Sequence, residues 1–458
     1  MWRRKSFADY FSPLSRMYIV ASRSWSRETP RAGRPQPEEE AYVHASSQQR
    51  ILVLTGTLGE GHNQAARAIA EAAAGAAPNA ETTIVDYMKW THPKLHSVGR
   101  FCYMQGIKGL PSVYGVLYRA TREENRLSTL FKQLRTFRTE RMLQLLEELR
   151  PTVVVCTFPA AAAAMSHLRL QRLTRVPTVT VLTDYARHSY WIHPGTDRYI
   201  VGAEPIRQAL IASGVSPSRV VATGIPVRRQ FGQRHDRAEL RRKHGLDPQL
   251  PTILVMGGGD GLIGRSVMRL VEEQDGLPRA QFVIVCGRNE RLRRQLQERL
   301  RSVGDAHRIV VTGYVPHVHE LMAAADVMVT KPGGLTVSEA LAQELPMILF
   351  KPIPGQEQEN SAYLAGLGAA LEASSRGELM DQLRAVLEHA ALRDRLRRNA
   401  SRHKPVAGAS RALQAILELQ DPRRAPADVA ASALDAAVVA AVAGGAALQA
   451  SASAVAQA

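Results

Sequence analysis

Four junctions in this chain place small, acidic and amide residues directly behind apolar runs. "ILVLT" leads into "GTLGEGHNQAARAI" (56–69), and "TILVM" leads into "GGGDGLIG" from Gly257. "DVMVT" leads into "KPGGLTVSEA" from Lys331, and "PMILF" leads into "KPIPGQEQEN", which ends at Asn360. Glycines let backbone approach a ligand closely, and a helix that starts there offers free N–H groups to an anion. His62 sits at the first helix start, and Glu339 one turn into the third. Gln356, Glu357, Gln358, Glu359 and Asn360 crowd behind a Pro-Gly turn. A single glycine loop is an ordinary strand-to-helix turn. Three of them with a polar cluster describe a phosphate cradle, a carboxylate able to chelate a ribose diol, and groups able to grip sugar hydroxyls. Neither the GxxxxGK[ST] spacing nor a GxGxxG beside a fitting acidic residue is present, so an ATPase or a dehydrogenase fits less well.

These junctions need strands ending where the loops begin. Apolar runs of strand length occur at "ILVLTG", "TTIVDY", "TVVVCTF", "TVTVLTD", "RYIVG" and "RVVATGIP", then at "TILVMGGG", "QFVIVCG", "RIVVTGY", "DVMVTK" and "PMILFKP". Helix-like segments separate many of them. Val- and Ile-rich strands alternating with helices indicate parallel sheets covered on both faces. Two such series imply an α/β protein of two doubly wound domains, divided near "TGIPVRRQFGQRHD". In such sheets ligands bind beyond the carboxyl ends of the strands, where all four junctions fall.

The 458 residues suit two or three domains, and the 45% apolar content supports real cores. Residues 1–48 read as a disordered or basic extension, with a membrane arm or a transit-like presequence as alternatives. The alanine-dominated stretch 423–458 reads as a flexible tail. The three cysteines, Cys102, Cys156 and Cys286, match no zinc or disulfide spacing and suit a reducing compartment. No span has the length and hydrophobicity of a conventional transmembrane helix. The net charge of +17 implies an anionic partner. With aromatics at only 5%, nucleic acid is disfavoured.

The segments "GEGHNQAARAI", "LTDYARHSYWIHPGTDRYIVG", "TGIPVRRQF", "VMGGGDGLIG", "VCGRNERL", "VTGYV" and "KPGGLTVSEALAQELPMILFKPIPGQEQENSAYL" occur in the order seen in processive diacylglycerol glucosyltransferases. The chain resembles that family over roughly residues 50–400. With the plant monogalactosyldiacylglycerol synthases, those enzymes are similar to the undecaprenyl-muramoyl-peptide N-acetylglucosaminyltransferase. The resemblance implies a GT-B fold: two Rossmann-like domains facing across a cleft. The N-terminal domain (49–226) would take the acceptor and the C-terminal domain (227–404) the UDP-sugar, with a crossover helix within 405–422.

The activity implied is inverting transfer of glucose or galactose from a UDP-sugar to diacylglycerol, by a peripheral protein at the cytoplasmic face of the membrane. The alternatives are an N-acetylglucosaminyltransferase acting on a lipid-linked muramoyl acceptor and a non-catalytic nucleotide-sugar or membrane-binding protein. His62, by its place in the motif, is similar to the family's base or its helper; capping the helix or contacting the donor is the other reading. Asp184 would be the base itself or orient His62, or else cap the next turn. Gly59, Gly61 and Asn63 belong to the same acceptor-side loop.

Gly257, Gly258, Gly259 and Gly261 would cradle the diphosphate, with Asp260 turned outward or bracing the loop. Glu339 would take both ribose hydroxyls, a first-turn glutamate favoured by the helix dipole being the alternative. Gln356, Glu357 and Asn360 would contact hexose and ribose, and Tyr314 with Val315 would flank uracil. Gly333 and Gly334 open the helix that carries Glu339. Without an Asp-x-Asp motif, helix N-termini, Lys331 and Arg288 would carry the charge of departing UDP, with no metal or other cofactor required. The mixed aromatic and basic segment 86–135, with Trp90, Phe101, Tyr103, Lys108, Tyr114, Tyr118 and Arg119, suits an anionic membrane surface and the lipid acceptor.

Overall fold

The structure, a computed structural model, describes residues 48–57, 59–93, 111–123, 125, 139–261, 276–301 and 308–420. Phe101, Tyr103, Lys108 and Cys102 lie outside the described residues, as do the alanine-rich tail and the extension before Gln48.

Among the described residues, twelve strands form two sheets. β1 (Gln49–Thr55), β2 (Ala80–Asp86), β3 (Val153–Cys156), β4 (Thr178–Val181), β5 (Arg198–Val201) and β6 (Val220–Ala222) lie in the order β2-β1-β3-β4-β5-β6. β7 (Thr252–Met256), β8 (Gln281–Val285), β9 (Arg308–Thr312), β10 (Val327–Thr330), β11 (Met347–Phe350) and β12 (Ala370–Ala373) lie in the order β12-β11-β10-β7-β8-β9. Every neighbouring pair is parallel. The central strands are buried along their whole length, so they read as unbroken Val/Ile/Leu runs. Eleven strands match the apolar runs. β12, "ALEA", escapes that reading because an edge strand carrying a charge at Glu372 makes no apolar run.

Five helices bear on the site: α1 (Glu60–Ala76), α2 (Pro111–Ala120), α3 (Gly334–Ala342), α4 (Gln356–Gly366) and α5 (Gly408–Leu417). Strand order reverses between β1 and β3 in the first sheet and between β7 and β10 in the second. Those reversals open crevices at the carboxyl ends of the strands. α1 starts at the first crevice, and the glycine loop after β7 and the start of α3 sit at the second.

One face of the first sheet, with Leu52, Leu54, Val154 and Cys156, packs on Met142, Leu145 and Met165. Its other face, with Ile51, Val53, Val155, Val181 and Ile200, packs on Ile69 and Ala73 of α1 and on Leu413 and Ile416 of α5. α5 therefore follows the second sheet in sequence yet completes the core of the first. Arg198 fastens it by donating from Nη1 to the Ala415 carbonyl at 2.8 Å.

Candidate active site

The two crevices face one another across a cavity of about 240 Å³, lined from both halves of the chain. Gly59, Glu60, Gly61, His62, Gln64, Thr183 and Asp184 come from the first half. Arg228, Gly257, Gly258, Gly259, Asp260, Tyr314, Val315, Lys331, Gly333, Gly334, Glu339 and Glu357 line the remainder.

His62 lies in the first turn of α1, its ring edge-on to Phe158 (centroids 5.3 Å apart) and 6.0 Å from Trp191. Its Nδ1 meets Thr183 Oγ1 at 3.1 Å, and its backbone carbonyl accepts from Thr157 Oγ1 at 3.1 Å. Burial holds the imidazole below its usual pKa of 6.5, opposed by the negative charge of Asp184. A neutral, oriented imidazole beside a carboxylate can take a proton from a hydroxyl group.

On the facing side, Gly257, Gly258 and Gly259 form the open wall of the cradle, and a Cβ on Gly258 would meet nothing within 4 Å. Glu339 is 7% exposed on α3, and burial pushes its carboxyl up to about 8. The nearby Arg228 opposes that rise and Glu60 adds to it. Lys331 donates from Nζ to the Lys351 carbonyl at 2.9 Å; burial lowers its pKa and Glu357 counteracts this. Arg288 reaches across the cleft to Glu60 Oε2 at 2.8 Å and lies 5.1 Å above the Tyr314 ring. Asp260 faces the cavity with an Arg288 guanidinium nitrogen at 3.8 Å, so it braces the cradle loop.

Residues 62–227 match the monogalactosyldiacylglycerol (MGDG) synthase family model, and residues 236–403 match that of glycosyl transferases group 1. A processive diacylglycerol beta-glucosyltransferase of Bacillus cytotoxicus is 31% identical over 341 residues, covering 74% of this chain and 86% of that protein. The chain belongs to the diacylglycerol glucosyltransferase family. The fold extends to more distant proteins. MurG of Acinetobacter baumannii aligns with a TM-score of 0.52 at 15% identity, over 81% of this chain and 99% of that one. HepE of Anabaena, solved in complex with UDP and glucose, aligns with a TM-score of 0.50 at 14% identity, over 81% and 100%. The expected GT-B architecture is thus the fold of this diacylglycerol glucosyltransferase family member.

Several expected site residues stand elsewhere than sequence suggested. Gly261 does not line the cradle: its φ of +59° turns the loop, its amide donates to the Gly258 carbonyl at 3.1 Å, and a Cβ would overlap the Cys286 carbonyl. Asn63 turns back to β1 and accepts from Thr55 Oγ1 at 2.9 Å. Asn360 is wholly buried and away from the cavity lining. Gln356 also lies off the cavity and accepts from Tyr114 Oη at 2.8 Å. Trp90 is half-buried, its ring packed against the first core and its indole N–H donating to the Arg141 carbonyl at 3.1 Å.

Tyr114 and Tyr118 point at the second domain. Tyr118 donates to Glu359 Oε1 at 3.3 Å, and Arg122 binds Glu359 Oε2 at 3.1 Å. The other face of α2 is apolar and open, with Val113, Val116 and Leu117 exposed at 60%, 58% and 40% and Arg119 exposed beside them. Arg228, Glu60 and Gln64 are cavity residues that sequence reasoning passed over. The arginine following "GIPV" and the polar positions within the α1 motif were the available signals.

α2 is keyed into the turn before α4 at Gly115, where a Cβ would fall 2.5 Å from Pro354 Cβ. Gly115→Ala must push the two elements apart, at a cost of about 1 kcal/mol or more. The expected result is a donor KM raised about fivefold, measured by steady-state kinetics. An unchanged KM would show that this contact does not hold α4 and its Glu357 in place at the cavity.

Proposed function

We propose that this protein is an inverting glycosyltransferase that moves glucose or galactose from a UDP-sugar to diacylglycerol, forming a membrane glycolipid. The observation that carries this reading is a shared cavity lined by His62, Asp184, the Gly257–Gly259 loop and Glu339. His62 takes the proton of the acceptor hydroxyl as its oxygen attacks the anomeric carbon, and Asp184 stabilises the imidazolium that forms. The glycosidic bond to the diphosphate breaks as the new one forms, on the opposite face of the sugar. The glycine amides, the start of α3 and the cations Lys331 and Arg228 receive the departing charge. Glu339 accepts both ribose hydroxyls, Glu357 serves the hexose, and Tyr314 with Val315 flanks the uracil.

Work at the cytoplasmic face of the membrane belongs to the same reading. Its support is the open apolar face of α2 with Arg119 beside it, together with the chain's excess of positive charge. Among the described residues no helix is long and apolar enough to cross a membrane. Changing Val113, Val116 and Leu117 together to serine is expected to weaken binding to anionic vesicles about tenfold or more in a sedimentation assay. UDP affinity should stay the same. Unaltered vesicle binding would place the membrane contact elsewhere.

The function itself is tested with purified protein on anionic liposomes containing diacylglycerol, offered labelled UDP-glucose, UDP-galactose and UDP-N-acetylglucosamine in turn. Label in a neutral glycolipid from a UDP-hexose is expected and settles the donor. UDP binding without lipid labelling from any of the three would overturn the reading.

A further inference from the structure

Asn360 stands at the meeting point of three segments. It is 0% exposed on α4, yet it serves a residue of the first domain. Its Oδ1 accepts from the Tyr185 amide at 2.7 Å, and its Nδ2 donates to Asp184 Oδ1 at 2.9 Å and to the Pro332 carbonyl at 2.9 Å. The partners fix the amide's orientation, since a backbone N–H only donates and a carboxylate or carbonyl oxygen only accepts. Both amide hydrogens are therefore spent, and burial closes the group to a sugar hydroxyl. The surroundings hold the same junction. Tyr185 Oη meets Ser338 Oγ at 2.9 Å, and the Tyr185 ring stacks on Tyr363 with centroids 4.6 Å apart. A Cβ on Gly334 would overlap the Thr183 carbonyl, so the start of α3 lies directly against the backbone of Thr183 and Asp184.

We propose that Asn360 is a positioning residue for the transfer reaction: it fixes the carboxylate of Asp184 from across the domain boundary, so that the His62–Asp184 pair is assembled only when the donor domain is seated. The proposal rests on the function proposed above and moves Asn360 from sugar contact to clamp. One carboxylate oxygen of Asp184 is committed to the clamp, while the residue still lines the cavity and its charge still acts on His62. A domain that swings away removes the clamp and lets the carboxylate turn.

The test is Asn360→Asp, which keeps an oxygen for the Tyr185 amide and replaces the fixed donor to Asp184 with a second carboxyl that competes with it for a proton. kcat should fall about 10- to 100-fold, the loss of one hydrogen bond to a charged group, with donor KM within about two-fold. The acid limb of the kcat–pH profile should move to higher pH, because a second carboxylate raises the pKa of the groups beside it. Asn360→Ser is measured in parallel and must show the same kcat–KM split, with UDP binding as the check of folding. In an Asp184→Ala background, Asn360→Ser should add nothing further to the loss. A raised donor KM with kcat kept, an unmoved acid limb or an additive effect would each overturn the clamp. Wild-type protein that transfers no hexose overturns the functional reading instead, so the two failures are separable.

Discussion

Replacing His62 with alanine is expected to lower kcat by about 10³-fold, the scale of a lost general base, while UDP affinity changes less than about two-fold. The imidazole is oriented through Nδ1 by Thr183 Oγ1 and held by the rings of Phe158 and Trp191, so the reacting nitrogen has little freedom. Burial lowers its pKa below the usual 6.5. In the proposed role the imidazole works when neutral, so wild-type kcat should rise with pH through a limb below 6.5 and be level at neutral pH. Asp184→Asn removes the charge that holds the imidazolium and is expected to shift that limb further down, with a loss of its own in kcat. Quench-flow or steady-state rates across pH 5–8 check both. A His62→Ala enzyme within about tenfold of wild type would assign the base elsewhere.

Glu339→Gln carries the second large effect. The carboxylate can accept two hydrogen bonds from the ribose diol, whereas the amide offers one oxygen and no charge. Donor affinity is expected to fall about 100-fold, with kcat at saturating donor nearly kept. A pH signature goes with it. Burial lifts this carboxyl to about 8, so at neutral pH it is mostly protonated. A diol that donates to the carboxylate favours ionisation, so donor binding releases a proton and affinity increases with pH until the carboxyl is ionised at about 8. The same sign applies to folding. The folded chain holds a proton here that the unfolded chain gives up near 4.5, so this group's contribution to stability declines as pH rises from 4.5 to about 8. Calorimetry in two buffers of different ionisation enthalpy reads the proton directly, and Glu339→Gln should abolish it. Equal heats in both buffers for the wild type would remove Glu339 from the diol.

The fold was legible because parallel strands buried on both faces leave continuous apolar runs, and eleven such runs became strands. β12 was not, since an edge strand can carry Glu372 without penalty. At the site, residue type and the strand-end position together pointed to His62, Glu339 and the Gly257–Gly259 loop, and all of them line the cavity. The errors have a common cause. Gly261, Asn63 and Asn360 share motifs with lining residues, and adjacent positions of a helix or turn face different ways. A motif gives the neighbourhood, and only packing tells which members are spent on their own backbone. Arg228 was missed for the complementary reason: it stands just after a strand-end turn that carries no glycine cluster, and only the tertiary fold brings it beside Glu339.

The position of α5 sets the order in which the protein can be finished as it is made. The face of the first sheet that carries Val53, Val181 and Ile200 is complete in sequence by Ala222 and is covered in part by Ile69 and Ala73 of α1, but the rest of its cover begins at Gly408. The 186 residues from Ala222 to Gly408 (408 − 222) take roughly 10–40 s to synthesise at about 5–20 residues per second. Throughout that interval the part of the face that Leu413 and Ile416 will cover waits for its helix. A fragment ending before Gly408 leaves the α5-facing part of that surface uncovered, so cutting between the sheets removes the helix that completes the core of the first domain.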